Sequence, residues 1–364
     1  MTYARARLLV GITGVGIWVV AAVAFLAAGG PSALPGADAD FSDEAAALAA
    51  VLGIYALASL PFDARGGYLL PRRFGRPCPD RDAFVVGWAR GVLVQWVVMA
   101  LSVLAVVAAG RSGGTGAAIA VVAGIALLIG VARVPLARMV ADLGPATRHP
   151  ASADVLLVPA ADPGFTGGVA GFGGRVVIPE AWTRALGDDL EVEVARRRWA
   201  AGAPYWLGLL LAAIWTVGGV AIATVLPGAG VQSVGQVVAV GAWFTLWSFI
   251  GLLVLPSLSR PGVMAADAAA AGEYPADRVA RVIRALDALQ DDEPERPDAV
   301  EVIFHPIPSA SRRVARLDPP RPALRAWHVA RMALPMSWCM LGLLGRAVHC
   351  NAGRPELWVM LPAD

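Results

Sequence analysis

Long stretches without a charged side chain alternate with shorter polar segments along this chain. Uncharged runs cover 8–37, 45–62, 91–110, 112–132 and 199–259. A membrane-spanning helix needs about 20 consecutive apolar residues, and polar turns near the middle of the last run divide it into two. The pattern therefore predicts six transmembrane helices, near 8–29, 45–61, 91–110, 114–134, 204–226 and 236–256.

The polar segments between these runs set the predicted organisation. Four N-terminal transmembrane helices occupy 1–136 and include a basic inner loop at 61–90. A first polar block at 137–203 and a second at 257–325 flank a transmembrane hairpin at 204–256. The last stretch, 326–364, has an apolar part too short for a crossing, and we predict an interfacial or re-entrant segment, with a seventh span as the alternative.

Composition supports a lipid-embedded protein. The chain is 57% hydrophobic and 16% charged, whereas soluble domains are about 25% charged. A net charge of +2 does not favour a nucleic-acid partner. Three cysteines, Cys78, Cys339 and Cys350, lack metal-ligand spacing, and their odd number argues against a complete disulfide framework.

Arginine is distributed unevenly among the loops. It is enriched before the first span, after the second and after the fourth, whereas the loops on the other side carry only Arg111. Because positive residues concentrate on the cytoplasmic side, we predict a cytoplasmic N-terminus and cytoplasmic polar blocks. All 30 basic residues are arginine, which is typical of a GC-rich genome. We predict a multi-pass protein of a bacterial cytoplasmic membrane.

The polar blocks combine strand and helix patterns. Asp154–Pro159 and Arg175–Pro179 resemble strands, and we interpret the glycine-rich stretch between them as a wide hairpin loop. It is not a phosphate-binding loop, since a strand follows it rather than a helix. Helices are predicted at 190–202 and 279–289, and a short strand at Val300–Phe304. The predicted fold class is mainly α, with about six transmembrane helices and a small α+β domain on the cytoplasmic side.

Several segments resemble, in order and spacing over about residues 55–320, the membrane gluzincin endopeptidases, which include HtpX and the CAAX prenyl endopeptidases. The segments that carry the resemblance are Leu60–Asp63 with Gly67–Gly75, Arg175–Pro179, Leu190–Ala195, and Phe304–Pro308 with Arg312–Leu317. The resemblance implies that the two polar blocks form one peptidase-like domain. It also makes Arg175–Pro179 the edge strand beside the active-site helix.

The metal site that this family requires is degenerate here. Two histidines at i and i+4 hold zinc, and a glutamate beside the first is the general base. Carried over by position, the first histidine falls on Arg196, the glutamate on Arg197 and the second histidine on Ala200. Arginine is not deprotonated in proteins, so it offers zinc no lone pair.

The third zinc ligand is a glutamate in this family, and its position is ambiguous. Alignment on Ala266-Asp267 places Val263 there, whereas a literal match occurs at Glu273. We prefer Val263, and in either alignment one carboxylate does not hold a metal. The four histidines, His149, His305, His328 and His349, include no i, i+4 pair, so we predict no catalytic residue, no metal and no cofactor.

The triplet Arg196–Arg198 has two interpretations. It is an arginine and aromatic belt at the membrane surface, or it is an anion or acidic-peptide site in the former cleft. The sequence favours the belt.

The predicted function is that of a pseudopeptidase, a catalytically inactive scaffold that binds another membrane protein. An extended segment of the partner would add to the sheet edge. The candidate peptide groove comprises Phe165, Thr166, Arg175, Val177, Arg196, Arg197 and His305. The alternatives are an active zinc endopeptidase with non-standard ligands and a structural subunit of a larger membrane complex.

Overall fold

Helices dominate the computed structural model, which describes residues 1–141, 143–150, 152–160, 162, 164–170, 174–290, 292–317 and 325–359. The N-terminal half contains α1 (Tyr3–Ala27), α2 (Phe41–Ala64), α3 (Leu70–Arg73), α4 (Arg81–Val131) and α5 (Arg133–Val140). After a small sheet come α6 (Ala181–Leu186), α7 (Leu190–Ala201), α8 (Ala203–Ala223), α9 (Val234–Glu273) and α10 (Ala276–Gln290). The last helices are α11 (Asp298–Phe304), α12 (Ala310–Val314), α13 (Val329–Met336) and α14 (Leu344–Ala347).

Five helical stretches are long and apolar enough to cross a membrane, and they indicate a multi-pass membrane protein. They are Tyr3–Ala27, Phe41–Arg73, Arg81–Val131, Ala203–Ala223 and Val234–Glu273. Each overlaps an uncharged run of the sequence. The mainly α fold class with a small sheet is confirmed.

The 51-residue helix α4 folds back on itself. Gly114 has φ 70° and ψ −166°, which is not helical. A straight helix would hold residues 91 and 133 about 63 Å apart, yet both meet the same short segment. An added Cβ on Gly91 would lie 3.0 Å from Pro355, and Arg133 Nε donates to Val359 O at 3.3 Å. The two runs predicted at 91–110 and 114–134 are thus two arms of one helical hairpin.

The segment expected as a basic inner loop at 61–90 is mostly helical, so that prediction is wrong. Helix α2 continues through a π-helical turn, Arg65–Leu69, into α3, and α4 already begins at Arg81. Gly66 and Gly67 in the π-turn lack a Cβ, so the backbone of the C-terminal segment can approach them closely. A Cβ on Gly66 would lie 2.6 Å from Ala352 O, and one on Gly67 would lie 2.0 Å from Gly353 O. This close approach, invisible to local sequence patterns, holds the helix in place.

Helix α9 joins the apolar bundle to the polar blocks. Its 40 residues extend about 60 Å, roughly twice the thickness of a bilayer's hydrocarbon core. The helix contacts α1 and α8 as well as α7, α10 and α11, and Arg260 and Asp267 in its C-terminal half bond to α11 and α7. Residues after Ser259 can therefore contribute side chains to the polar domain.

A four-stranded sheet lies in the first polar block, in the order β1 (Thr147–His149), β2 (Ser152–Val158), β4 (Arg175–Pro179), β3 (Gly168–Ala170). Strands β2 and β4 are parallel, so the wide hairpin expected between them is wrong. The glycine-rich stretch instead supplies β3, which pairs antiparallel with β4. Strand β4 is consequently internal, not the edge strand that the resemblance implied.

The sheet separates two apolar cores. Successive side chains of a strand point to opposite faces. Val176 and Ile178 pack with Leu190, Val192 and the apolar face of α10, whereas Val177 joins the larger core of the membrane bundle. The helices predicted at 190–202 and 279–289 are confirmed as α7 and α10.

The strand expected at Val300–Phe304 is wrong, because this segment is α11. Its β-branched residues favour a strand locally, but Glu301 N donates to Pro297 O at 3.0 Å and starts a helical turn. Arg260 of α9 then donates to the carbonyls of Glu301 and His305, both at 3.1 Å. Carbonyls at a helix end need such outside donors, so a non-local contact overrides the local preference.

The C-terminal segment, residues 325–359, is buried inside the bundle. Trp327, Trp338 and Trp358 are at most 2% exposed, as are Cys339 and Met340. Its longest helix, α13, has eight residues, so none of its described part has the length of a seventh span. Irregular backbone at membrane depth is tolerated where protein covers it, and the re-entrant form of this segment stays a prediction.

Candidate functional site

Helix α7 carries the positions where the resemblance implied a zinc motif. Arg196 and Ala200 are both 0% exposed, and a spacing of four places them on one helix face. Arg197 is also 0% exposed. The surface belt is therefore wrong for Arg196 and Arg197, and an acidic peptide from outside has no access to them in this structure.

Two buried carboxylates neutralise these arginines. Glu193, one turn earlier on α7, accepts hydrogen bonds from Arg196 and, at 2.6 Å, from Arg197 Nε. Asp267 of α9 accepts from Arg196 Nε at 2.7 Å. It also accepts two bonds from Arg313 of α12, at 2.8 and 2.9 Å. We call Glu193, Arg196, Arg197, Asp267 and Arg313 the buried ion network.

The network also reaches the sheet. Arg197 Nη1 donates to Thr166 O at 2.5 Å and to Val177 O at 2.6 Å. The same guanidinium lies 4.9 Å from the ring centre of Trp182, a cation–π distance. Charge-assisted bonds of this kind are stronger than neutral ones, so the network ties α7, α9, α12 and the sheet together.

Arg198 differs from its two neighbours because its side chain is 47% exposed. It forms a two-pronged pair with Asp154 of β2, at 2.8 and 2.9 Å. The hydrogen bonds from Arg198 hold the pKa of Asp154 below its ordinary value. An exposed pair of this kind contributes little to stability, which makes it a natural comparison for the buried network.

The position expected for the third zinc ligand is occupied by Val263, whose side chain has no atom that can bind a metal. Val263 is 0% exposed, one helical turn before Asp267. Glu273, the alternative, lies exposed at the end of α9. The alignment on Ala266-Asp267 thus places its carboxylate against α7, but that carboxylate binds guanidinium groups.

The described residues contain no cluster of metal-ligand side chains. No three His, Cys, Asp or Glu side chains lie together there with the proximity a metal ion requires. Both carboxylates of the network accept bonds from arginine, which supplies donors only. What the network can do chemically is to hold four elements in one fixed arrangement.

The residues of the candidate peptide groove are mostly inaccessible. Phe165, Thr166, Val177, Arg196 and Arg197 are 0% exposed, and His305 is 5% exposed. Only Arg175, on the sheet, is exposed. The protein's own side chains fill the space at these positions, and β3 pairs with the side of β4 that a partner strand would use.

Two features of the polar region escaped the sequence reasoning. Glu193 stands three and four residues before Arg196 and Arg197, which is the spacing of helical ion pairs, and this local signal could have indicated the network. The second feature is His305 beside His349, with ring centres 5.1 Å apart. No local signal marks that contact, because the two residues are far apart in the chain.

A third unpredicted feature anchors the C-terminal segment. Asp63 is 1% exposed and accepts hydrogen bonds from Trp88 Nε1 and Gly353 N, each at 2.9 Å. Arg346 also pairs with this carboxylate. The sequence marked Asp63 only as part of a segment with family resemblance, and its partners are distant in the chain.

No protein-family model matches this chain, and no curated protein matches it. The resemblance to gluzincin endopeptidases therefore depends on the quoted segments and their spacing alone.

Proposed function

We propose that the protein is a catalytically inactive relative of the membrane gluzincin endopeptidases and serves as a binding or scaffolding subunit for another membrane protein. The observation that carries the proposal is the buried ion network. It occupies the positions at which the family's motif would hold zinc, and it closes them with hydrogen bonds. A divalent cation would have to displace three guanidinium groups from the two carboxylates, Glu193 and Asp267.

In this proposal the protein crosses a bacterial cytoplasmic membrane six times, with its N-terminus and polar domain in the cytoplasm. The asymmetry of arginine among the loops supports this orientation. The break at Gly114 supports six crossings, since each arm of α4 has enough residues for one.

The partner would bind outside the former cleft. Strand β1 lies at the end of the sheet opposite β3, and its residues Thr147 and Arg148 are exposed. An unpaired strand edge can accept an extended segment of another protein through backbone hydrogen bonds. We assign this edge, rather than the buried groove residues, as the docking site.

The inactive state is tested by elemental analysis of protein purified without a histidine tag. We expect zinc far below an equimolar amount and no chelator-sensitive cleavage of membrane substrates. Equimolar zinc that survives gel filtration would refute the proposal and favour an endopeptidase with non-standard ligands.

The resemblance itself is tested by restoring the motif. A variant with Arg196→His, Arg197→Glu, Ala200→His and Val263→Glu carries the family's ligand set at the aligned positions. If the alignment is right, the folded variant gains equimolar zinc that the wild type lacks. A folded variant that stays free of zinc shows that these positions do not form the family's metal geometry.

Partner binding is tested by cross-linking in membranes and affinity capture of the full chain. Thr147→Glu with Arg148→Glu places like charges on the β1 edge without touching the core. Arg284→Glu, at an exposed position of α10, is the matched control. We expect the β1 variant to lose a partner that the control retains, and retention by both would exclude this edge.

A further inference from the structure

A small cavity lies where the start of α1 meets α12, α13 and the C-terminal segment. Its volume is about 50 Å³. A buried water occupies about 10–15 Å³ on the same measure, so the cavity has space for about four waters. A compact oxyanion, such as a phosphate group, is of similar size.

The cavity is rich in arginine. Five arginine side chains line it, namely Arg7, Arg296, Arg313, Arg331 and Arg354. His305 and His349 complete the polar wall, and Asp287 is the one carboxylate among the described lining residues. Arg296 lies 3.8 Å from Asp287 and 3.7 Å from Glu293, so part of the positive charge is balanced. Guanidinium groups match the geometry of phosphate oxygens, and arginines outnumber carboxylates in the described lining, which favours an anion.

Two of the arginines are held by carboxylates outside the described lining of the cavity. Asp162 holds Arg354, and Asp267 of the buried ion network holds Arg313 at 2.8 Å. Arg7 and Arg331 are 2% and 9% exposed. Buried cations with restrained side chains form a preorganised wall, which lowers the entropic cost of binding an anion.

An apolar pocket of about 400 Å³ adjoins the cationic cavity. The two share Pro306, Arg331, His349 and Cys350 as lining residues. The apolar pocket extends between α1 and α9, and its wall includes Leu8, Ile12, Val15, Phe249, Leu252 and Pro256. A ligand that occupies both spaces therefore has an anionic end and a hydrocarbon end.

The position of the apolar pocket matches one leaflet of a bilayer. From Arg7 to Gly16, α1 rises about 13 Å, close to half of the about 30 Å hydrocarbon core. At the rim of the pocket, Ile12 is 41% exposed and Leu253 is 44% exposed. A chain can thus enter sideways from the lipid, while the charged end remains at the level of Arg7.

We propose that this paired site binds an anionic phospholipid, with its phosphate in the cationic cavity and an acyl chain in the apolar pocket. A free phosphate would use the cavity alone and leave the adjoining pocket without a role. The site borders the buried ion network, since Arg313 belongs to both. Lipid binding requires neither a peptidase ancestry nor a protein partner, so this proposal does not rest on the proposed function.

Gly16→Leu tests the apolar half. No atom lies within 4 Å of a Cβ added at Gly16, so the leucine fits into the pocket and obstructs an acyl chain. Gly53→Leu is the matched control, because Gly53 of α2 has equally open surroundings and does not line the pocket. Arg331→Gln tests the cationic half, with the exposed Arg284→Gln as its control.

Binding is measured by native mass spectrometry of the full chain in neutral detergent, titrated with phosphatidylglycerol, phosphatidylcholine or inorganic phosphate. We expect the wild type to prefer phosphatidylglycerol, and Arg331→Gln to lose about fivefold in affinity for that lipid, the value for one surface cation. Gly16→Leu should lower the affinity for both lipids, and the two control variants should bind them with the affinity of the wild type.

Three results would overturn the proposal. Equal affinity of the wild type for the two lipids would show that the arginines do not select an anionic headgroup. Unchanged binding by Gly16→Leu would remove the role of the apolar pocket. Inorganic phosphate that binds as tightly as phosphatidylglycerol would identify the ligand as a soluble anion.

Discussion

Removal of Asp267 is the most direct perturbation of the buried ion network. The carboxylate is 0% exposed and accepts from Arg196 and Arg313. Asp267→Ala leaves both guanidinium groups buried without this counter-charge. Breaking one side of a buried pair costs about 3–5 kcal/mol. Because typical proteins are stable by about 5–15 kcal/mol, the loss should be large but measurable.

Asp154→Ala is the matched control for this experiment. Asp154 pairs with Arg198, also on α7, but the two side chains are 49% and 47% exposed. Solvent screens such a pair, and its loss costs about 0–1 kcal/mol. The comparison therefore separates the effect of burial from the effect of losing an ion pair near this helix.

The assay is equilibrium unfolding by sodium dodecyl sulfate in mixed micelles, followed by the fluorescence of the 12 tryptophans. We expect the free energy of unfolding to fall by about 3–5 kcal/mol for Asp267→Ala. If both variants lose less than about 1 kcal/mol, the network is hydrated rather than buried, and it does not close the positions implied for zinc.

Three further predictions concern other contacts. Asp63→Ala should cost about 3–5 kcal/mol and expose the C-terminal segment to protease, and unchanged cleavage would argue against an anchor. Gly67→Ala should cost about 1–3 kcal/mol by overpacking, whereas Gly53→Ala, in open space, should not destabilise in the same unfolding assay. Hydrogen bonding from Arg278 lowers the pKa of Asp189 below its ordinary 3.8. That pair thus stabilises the fold above about pH 4 and loses its effect as acid protonates Asp189. The melting temperatures of the wild type and Asp189→Asn should therefore converge on acidification, and a constant difference would contradict the pair.

The sequence predicted the helices and strands that depend only on residues close to one another in the chain. Uncharged runs located the apolar helices because length and hydropathy alone define a candidate span. Helix α10 followed from its apolar face. The parallel pairing of β2 with β4 could not be predicted, since it depends on where β3 inserts. The helical form of 298–304 likewise depends on Arg260, about 40 residues earlier.

The candidate site also combines features that the local sequence predicts with features that depend on distant residues. The lack of ligand atoms at Arg196 and Ala200 is a property of residue type, and the sequence shows it. The burial of Arg196 depends on Asp267, which is 71 positions away. Local pattern cannot place that carboxylate, so the sequence favoured a surface belt for arginines that lie in the interior.

The position of the C-terminal segment determines the order in which this protein can assemble. Residues 325–359 form the centre around which α4, α8 and α9 pack, yet they are synthesised after all three of those helices. During translation the earlier helices must enter the membrane with an unfilled space between them, and the bundle can close only when the tryptophan-rich segment arrives.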